Sequence, residues 1–198
     1  MKVLVSAFSL AHLLACASPE APAAPPAPAE AVPIAAPNRL PELVLSPTAT
    51  LVKRAEVAAL VDALAVEKKI ESSHVGAAGA PSAIYAKWEA VEKAASSEEL
   101  QALLRHERPV VRAYAARHLV RGATPLAAQS LAPLLSDLAD VGSTDGCMIG
   151  ETTVAAILVE DLCYNAKDKE AARALLREAV DGGPEDVARQ AERCLPKR

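Results

Sequence analysis

Residues 17–37 read ASPEAPAAPPAPAEAVPIAAP, with seven prolines and nine alanines among 21 positions and no aromatic side chain. Proline at this density removes backbone donors and forbids helix, so the segment cannot build a packed core. Its expected state is a semi-extended spacer reaching about 65 Å, at roughly 3.1 Å per residue. The spacer confines folding to the chain from Asn38 onward, about 160 residues, a length that suits one domain. The chain thus divides into 1–15, 16–37 and 38–198.

The first of these pieces has a chemistry of its own. Met1 and Lys2 open it with positive charge, and Val3 to Leu14 carries no formal charge. A membrane-crossing helix needs about 20 apolar residues, so this run is too short to span. A charged start, a short apolar centre and small residues after it describe a secretory signal peptide. It ends in Leu13-Leu14-Ala15-Cys16, which resembles the lipobox of bacterial lipoproteins. The resemblance implies that the Cys16 thiol receives a diacylglycerol and that residues 1–15 are then removed as the signal peptide. Residues 16–37 become the lipidated cysteine and its tether. Two or three acyl chains, each methylene contributing about 0.8 kcal/mol, hold a protein on a membrane where a single chain is marginal. By the same resemblance, Ala17 in place of aspartate directs the protein to the outer membrane, facing the periplasm.

The 52% hydrophobic content of the chain is largely alanine. After residue 16 the aromatic residues are Tyr85, Trp88, Tyr114 and Tyr164, with no phenylalanine. Alanine favours helix and lets helices approach closely, which points to an all-α fold. Twenty-one basic against 25 acidic side chains give a formal charge of −4. A nucleic-acid binder needs a basic patch to neutralise phosphates, so nucleic acid is not an expected partner.

Helix signals punctuate residues 38–198. One long helix is expected over Thr50–Ile70, and Ser82 caps another over 83–95. Ser96-Ser97-Glu98-Glu99 forms a capping box, and Pro109 stands at the first position of a helix that Gly122 ends. Thr124-Pro125 opens a helix that Pro133 shortens. Others are expected over Thr152–Tyr164, over Asp168–Val180, and from Pro184 to before Pro196. In PVVRAYAARHLV, the order Val111, Arg112, Ala115, Leu119 resembles the second helix of a HEAT repeat. Val187, Ala191 and Leu195 follow the same frame, and Val154 and Leu162 follow it in part. Four-residue steps place these side chains on one helical stripe. The resemblance implies a short right-handed solenoid of HEAT-like hairpins. A generic amphipathic helical bundle is the alternative.

Beyond Cys16 the thiols are Cys147, Cys163 and Cys194, and no pair forms C-x-x-C. Export to an oxidising compartment favours one disulfide. In a helical stack the ends of successive equivalent helices lie side by side, which favours Cys163 with Cys194. Three small buried thiols are the alternative. His74, His106 and His118 are scattered, without a metal-binding spacing, so neither metal nor cofactor is expected. His106, at a helix end, reads as a dipole partner. Gly76-Ala77-Ala78-Gly79 lacks the lysine and serine of a phosphate-binding loop and reads as a turn. Arg105, Arg108, Arg112, Arg117 and Arg121 gather around one helix pair, where they read as a solvated helical face or as a contact surface for an acidic partner. The interruption ADVGSTDGCMIGE (139–151) is the foremost candidate contact loop, with a structural insertion as the alternative. The expected function is a lipid-anchored, non-enzymatic binding or scaffolding module of the bacterial envelope, with a protein or peptide partner. The alternative is an envelope enzyme or thiol-redox protein using Cys147.

Overall fold

The computed structural model describes residues 39–122 and 125–196. The expected signal peptide (1–15) and the expected lipidated Cys16 with its tether (16–37) lie outside the described residues. Within them the chain is mixed α/β. It is not an all-α solenoid of HEAT-like hairpins, because a four-stranded sheet sits among the helices.

The expected long helix breaks into three pieces. A single turn, α1 (Thr48–Leu51), ends where Val52 is extended (φ −120°, ψ 123°) and buried; α2 (Ala55–Ala65) follows. Beyond it the chain turns into strand β1 (Lys69–Val75). A turn through Gly76 and Gly79, both at positive φ, leads to the two-residue strand β2 (Ala80–Pro81). Ser82 then accepts a hydrogen bond from the Tyr85 amide and starts α3 (Ala83–Ala94). The capping box forms as its four residues dictate, with Ser96 and Glu99 satisfying each other's backbone amides at the head of α4 (Ser97–Ala102). A 3-10 turn (Leu103–Arg105) leads to α5 (Pro109–Gly122).

The helix expected from Thr124-Pro125 is reduced to one turn, α6 (Ala128–Leu131), and a 3-10 segment (Ala132–Ser136) containing Pro133. The interruption at 139–151 is no loop. It forms strands β3 (Asp140–Gly146) and β4 (Met148–Thr153). Helices α7 (Val154–Tyr164), α8 (Lys169–Gly182) and α9 (Glu185–Cys194) complete the chain, with Thr153 capping α7 and Asp168 capping α8. No described helix is long and apolar enough to cross a membrane.

The sheet order is β2-β1-β3-β4. The central pair β1–β3 is parallel, with Lys69 opposite Gly142 and Glu71 opposite Thr144; the flanking pairs are antiparallel. Helix α5 is the hub. It buries nine residues, Val111, Ala115 and Leu119 among them, and packs against α7, α2, α4 and strands β1 and β3. The same stripe that resembles a HEAT helix therefore faces a mixed environment of helices and sheet. Four-residue spacing says that a helix has a buried face, and nothing about what covers it.

Beta-sheet completion also depends on α5. β2 is too short to reach Glu71, whose amide and carbonyl are met instead by the Tyr114 hydroxyl, at 2.8 and 3.1 Å. Burial pushes the Tyr114 phenol up to about 12, so it stays neutral and keeps the proton it donates.

Candidate functional site

The β3–β4 hairpin begins from a rigid base. Asp137 ends the 3-10 segment just before β3, and its carboxylate takes the buried Arg112 guanidinium in a two-pronged pair, at 2.6 and 3.0 Å. Arg112 also donates to the carbonyls of His106 (2.6 Å) and Glu107 (3.0 Å), so four of its five N–H bonds are used. Asp137 in turn accepts from the Ala139 amide through its side chain and from the Ala155 amide through its carbonyl. Val154 donates to the Ala139 carbonyl. Both roots of the hairpin are thereby tied to one ion pair inside the protein.

The tip is the opposite. Register pairs Asp145 with Met148, leaving Gly146 and Cys147 as a two-residue turn with Gly146 at φ 56°. Such turns twist in the same sense as their strands, and glycine takes the positive φ without strain. The Gly146 amide and carbonyl are held by the Ser72 hydroxyl and the Gly76 amide. Beyond the turn, Cys147 through Glu151 are exposed, including Met148 at 72% and Ile149 at 83%. Among the described residues no strand pairs with β4 on its outer side.

Hydrogen-bonded pairs alternate along an antiparallel ladder. Because Val154 pairs with Ala139 through its amide, the bonded partners in β4 are Thr152, Gly150 and Met148. The backbone groups of Ile149 and Glu151 consequently point away from β3, along the open edge. An edge strand presenting apolar side chains beside unpaired amides is a template for another strand. This is the one region of the described residues where strand geometry, exposure and apolar chemistry coincide.

The five arginines form no single surface. Arg112 is 1% exposed and cannot meet a partner. Its confinement corrects the expectation that it belongs to a contact patch: a buried carboxylate, Asp137, holds it inside. Arg117 and Arg121 both turn to Asp161, itself 1% exposed, at 3.1 and 2.6 Å, with Asn165 a further donor. Arg108 donates to the Ala65 carbonyl at 2.9 Å. Arg105 lines a 470 Å³ groove with Leu43, Val44, Glu98 and Pro133.

The histidines separate as well. His106 is buried, which holds it below the usual imidazole range. Its Nδ1 accepts the Arg108 amide at 3.0 Å, so the proton sits on Nε2 and is donated to Thr48 Oγ1 at 2.8 Å. Thr48 donates onward to Asp62 at 2.6 Å. This direction of donation makes His106 a structural donor to Thr48 and not its base. His106 is therefore a bridge between α1 and the 3-10 turn, in place of the dipole partner that its position suggested. His74 is exposed on β1, and His118 Nδ1 lies 3.1 Å from Glu92.

Cys163 on α7 and Cys194 on α9 are joined by a disulfide, with Cα atoms 5.4 Å apart. Cys147 is a free thiol at the exposed hairpin turn. Among the described residues no group of three or more His, Cys, Asp or Glu side chains is placed to hold a metal ion. Asp137, Asp161 and the exposed pair Met148-Ile149 carry the weight of this arrangement; Met148 and Ile149 fall within the 139–151 segment read as the candidate contact loop, whereas neither aspartate was singled out by pattern. Gly146, opening a two-residue turn between two short runs with alternating apolar residues, was the available signal for the hairpin. Comparison with family models, curated proteins and solved structures finds no match to the chain.

Proposed function

We propose that the protein is a lipid-anchored binding module of the bacterial envelope, held on the membrane through Cys16 and presenting the β3–β4 hairpin to a protein or peptide partner. The tether 16–37 spaces the domain from the lipid surface, with the outer membrane facing the periplasm as the site. The lipobox resemblance supports the anchor. The observation that carries the binding role is Ile149, 83% exposed on an open strand edge whose base is fixed by a buried ion pair. A free-energy cost is attached to leaving Met148 and Ile149 in water, and a partner that covers them recovers it.

A photoreactive amino acid placed at Ile149 in the full chain, expressed in a bacterial envelope, tests this reading. The expected result is a discrete cross-linked adduct that is absent when the same group is placed at Val66, which is comparably exposed at 69% but lies off the sheet. Equal adducts at both positions, or none at Ile149, would count against the hairpin as the docking surface. The anchor is checked separately by intact mass: the mature chain should begin at Cys16 and carry acyl mass. A chain beginning elsewhere without lipid removes the membrane part of the proposal.

A further inference from the structure

The open edge of β4 carries a chemical signature that narrows its occupant. From Gly122 to Ala166 the sequence contains no lysine, arginine or histidine, while Asp137, Asp140, Asp145, Glu151, Glu160 and Asp161 fall inside it. Asp137 and Asp161 are neutralised by the arginines of α5. That leaves Asp140, Asp145 and Glu151 on the hairpin itself. The nearest lysine on the sheet, Lys69, lies two strands away on β1 and is paired with Glu71 at 2.5 Å. The Lys69 ammonium and the Ser82 hydroxyl hold the Glu71 carboxyl below its usual range, so this pair is internally satisfied. The edge is thus apolar and acidic at once.

Register makes the pattern finer. Successive side chains of a strand alternate between faces, which puts Ile149 and Glu151 on one face, two positions apart. Asp140 stands on that face too, opposite Thr153. On the other face Met148 lies opposite Asp145 and Thr152 opposite Val141. Each face therefore shows a large apolar side chain with a carboxylate beside it: Glu151 two positions along the strand from Ile149, and Asp145 directly across from Met148.

Resting on the docking role proposed above, we infer that the β4 edge accepts an extended segment of a different protein chain, in which apolar and basic residues stand two positions apart on the same face. The added strand bonds to the outward amides and carbonyls of Ile149 and Glu151. Its apolar residue covers Ile149 or Met148, and its lysine or arginine meets Glu151 or Asp145. Backbone bonds supply affinity and the side-chain pattern supplies selectivity. A second copy of this chain is a poor occupant, because two hairpins would bring carboxylates of one sign together, and like charges across strands destabilise the pair. Acidic residues at an edge also serve to keep strands apart, and the same charges that repel a copy attract a basic segment.

The experiment uses the full chain in detergent micelles and a short synthetic peptide, TVVKKVVKT, whose two faces each alternate valine with lysine. Hydrogen exchange of the Ile149 and Glu151 amides should slow by about tenfold or more when the peptide is present, as amides moving from solvent into a ladder do. TVVEEVVET, and a TVVKKVVKT in which alternate amides are methylated, should leave those amides unprotected. Glu151→Lys should weaken TVVKKVVKT and admit TVVEEVVET. Protection by both charge patterns alike overturns the basic preference. Protection that rises with protein concentration in the absence of peptide points to a second copy and overturns it as well. If the Ile149 adduct forms in the envelope while TVVKKVVKT protects nothing, the docking surface stands and this partner chemistry falls. If the adduct is absent and the peptide also protects nothing, both readings fall.

Discussion

Helix α5 and the β3–β4 hairpin meet at Arg112 and Asp137, yet they treat their surroundings in opposite ways. Helix α5 encloses Tyr114, Val111 and even an arginine at 1% exposure, whereas β4 leaves Met148 through Glu151 in solvent. The hub commits its polar groups to partners inside the fold: Arg112 to Asp137, Tyr114 to the β1 backbone. The hairpin leaves its outer backbone and apolar tip uncommitted. The contrast separates holding from binding. A tip that is to accept a partner strand keeps its geometry only if its base does not move, and the buried ion pair supplies that base.

The largest test of this division removes the base. Asp137→Ala strands the Arg112 charge inside the protein, which should cost about 3–5 kcal/mol, since a buried charge without its partner is strongly destabilising. The midpoint of thermal unfolding followed by circular dichroism reads this directly. Arg112→Met combined with Asp137→Leu should recover part of the loss, and not all, because the His106 and Glu107 carbonyls lose their donor. An unchanged midpoint in Asp137→Ala would mean that Arg112 reaches water and that the ion pair does not fix the hairpin base.

The next effect lies far from the hairpin. Replacing Cys163 and Cys194 together by serine should cost about 3–4 kcal/mol, from loop-closure scaling over a sequence separation of 31. It should loosen α7 against α9 while leaving exchange at the β4 edge as it was. Thiol counting on the unfolded chain supplies a second readout. Cys147 alone should react if Cys16 carries lipid as a thioether. Additional reactive thiols would argue against the disulfide or the anchor, and reduction tells which.

A smaller effect is expected at the seam between the two regions. Tyr114→Phe leaves the Glu71 amide and carbonyl without their partner and should cost about 1–3 kcal/mol. Its signature is alkaline. The Tyr114 pKa is raised from 10.0 to about 12 in the fold. The stability linked to it is therefore fully present below pH 10 and is lost as pH rises towards 12. Tyr114→Phe should flatten that limb of the pH profile. An identical alkaline slope in both proteins would place the titration elsewhere.

The smallest stability change belongs to the tip. Ile149→Lys should move stability by less than about 0.5 kcal/mol, as exposed substitutions do. The same change should abolish the cross-link from a photoreactive group placed at Met148. A large loss of stability would show that Ile149 packs against something, and the contrast between base and tip would fail.

Much of the helical skeleton is legible in short local patterns. Ser82, the Ser96–Glu99 box, Pro109, Thr153 and Asp168 act within a turn of their own positions, so their physics needs no distant partner. The Val111-Ala115-Leu119 stripe is equally local, and it is buried. The break within Thr50–Ile70 was not legible in that way. Val52 is extended because it packs into the core, and Lys69–Val75 is a strand because β3, far along the chain, lies beside it.

Those strands contain serine, glycine and charged residues, with Ile70 and Val141 their main buried apolar side chains. Period-two alternation is correspondingly faint. The arginines make the same point. Five in one region look like a surface until Asp137 and Asp161, neither a neighbour in sequence, draw three of them into pairs. What the sequence alone determined is where the capped helices α3, α4, α5 and α8 begin, because capping, proline geometry and apolar spacing act over a few residues. Only the tertiary structure decided that a sheet exists, that Arg112 is buried and that β4 is an open edge, because strand pairing and charge burial depend on partners that the chain brings together only when it folds.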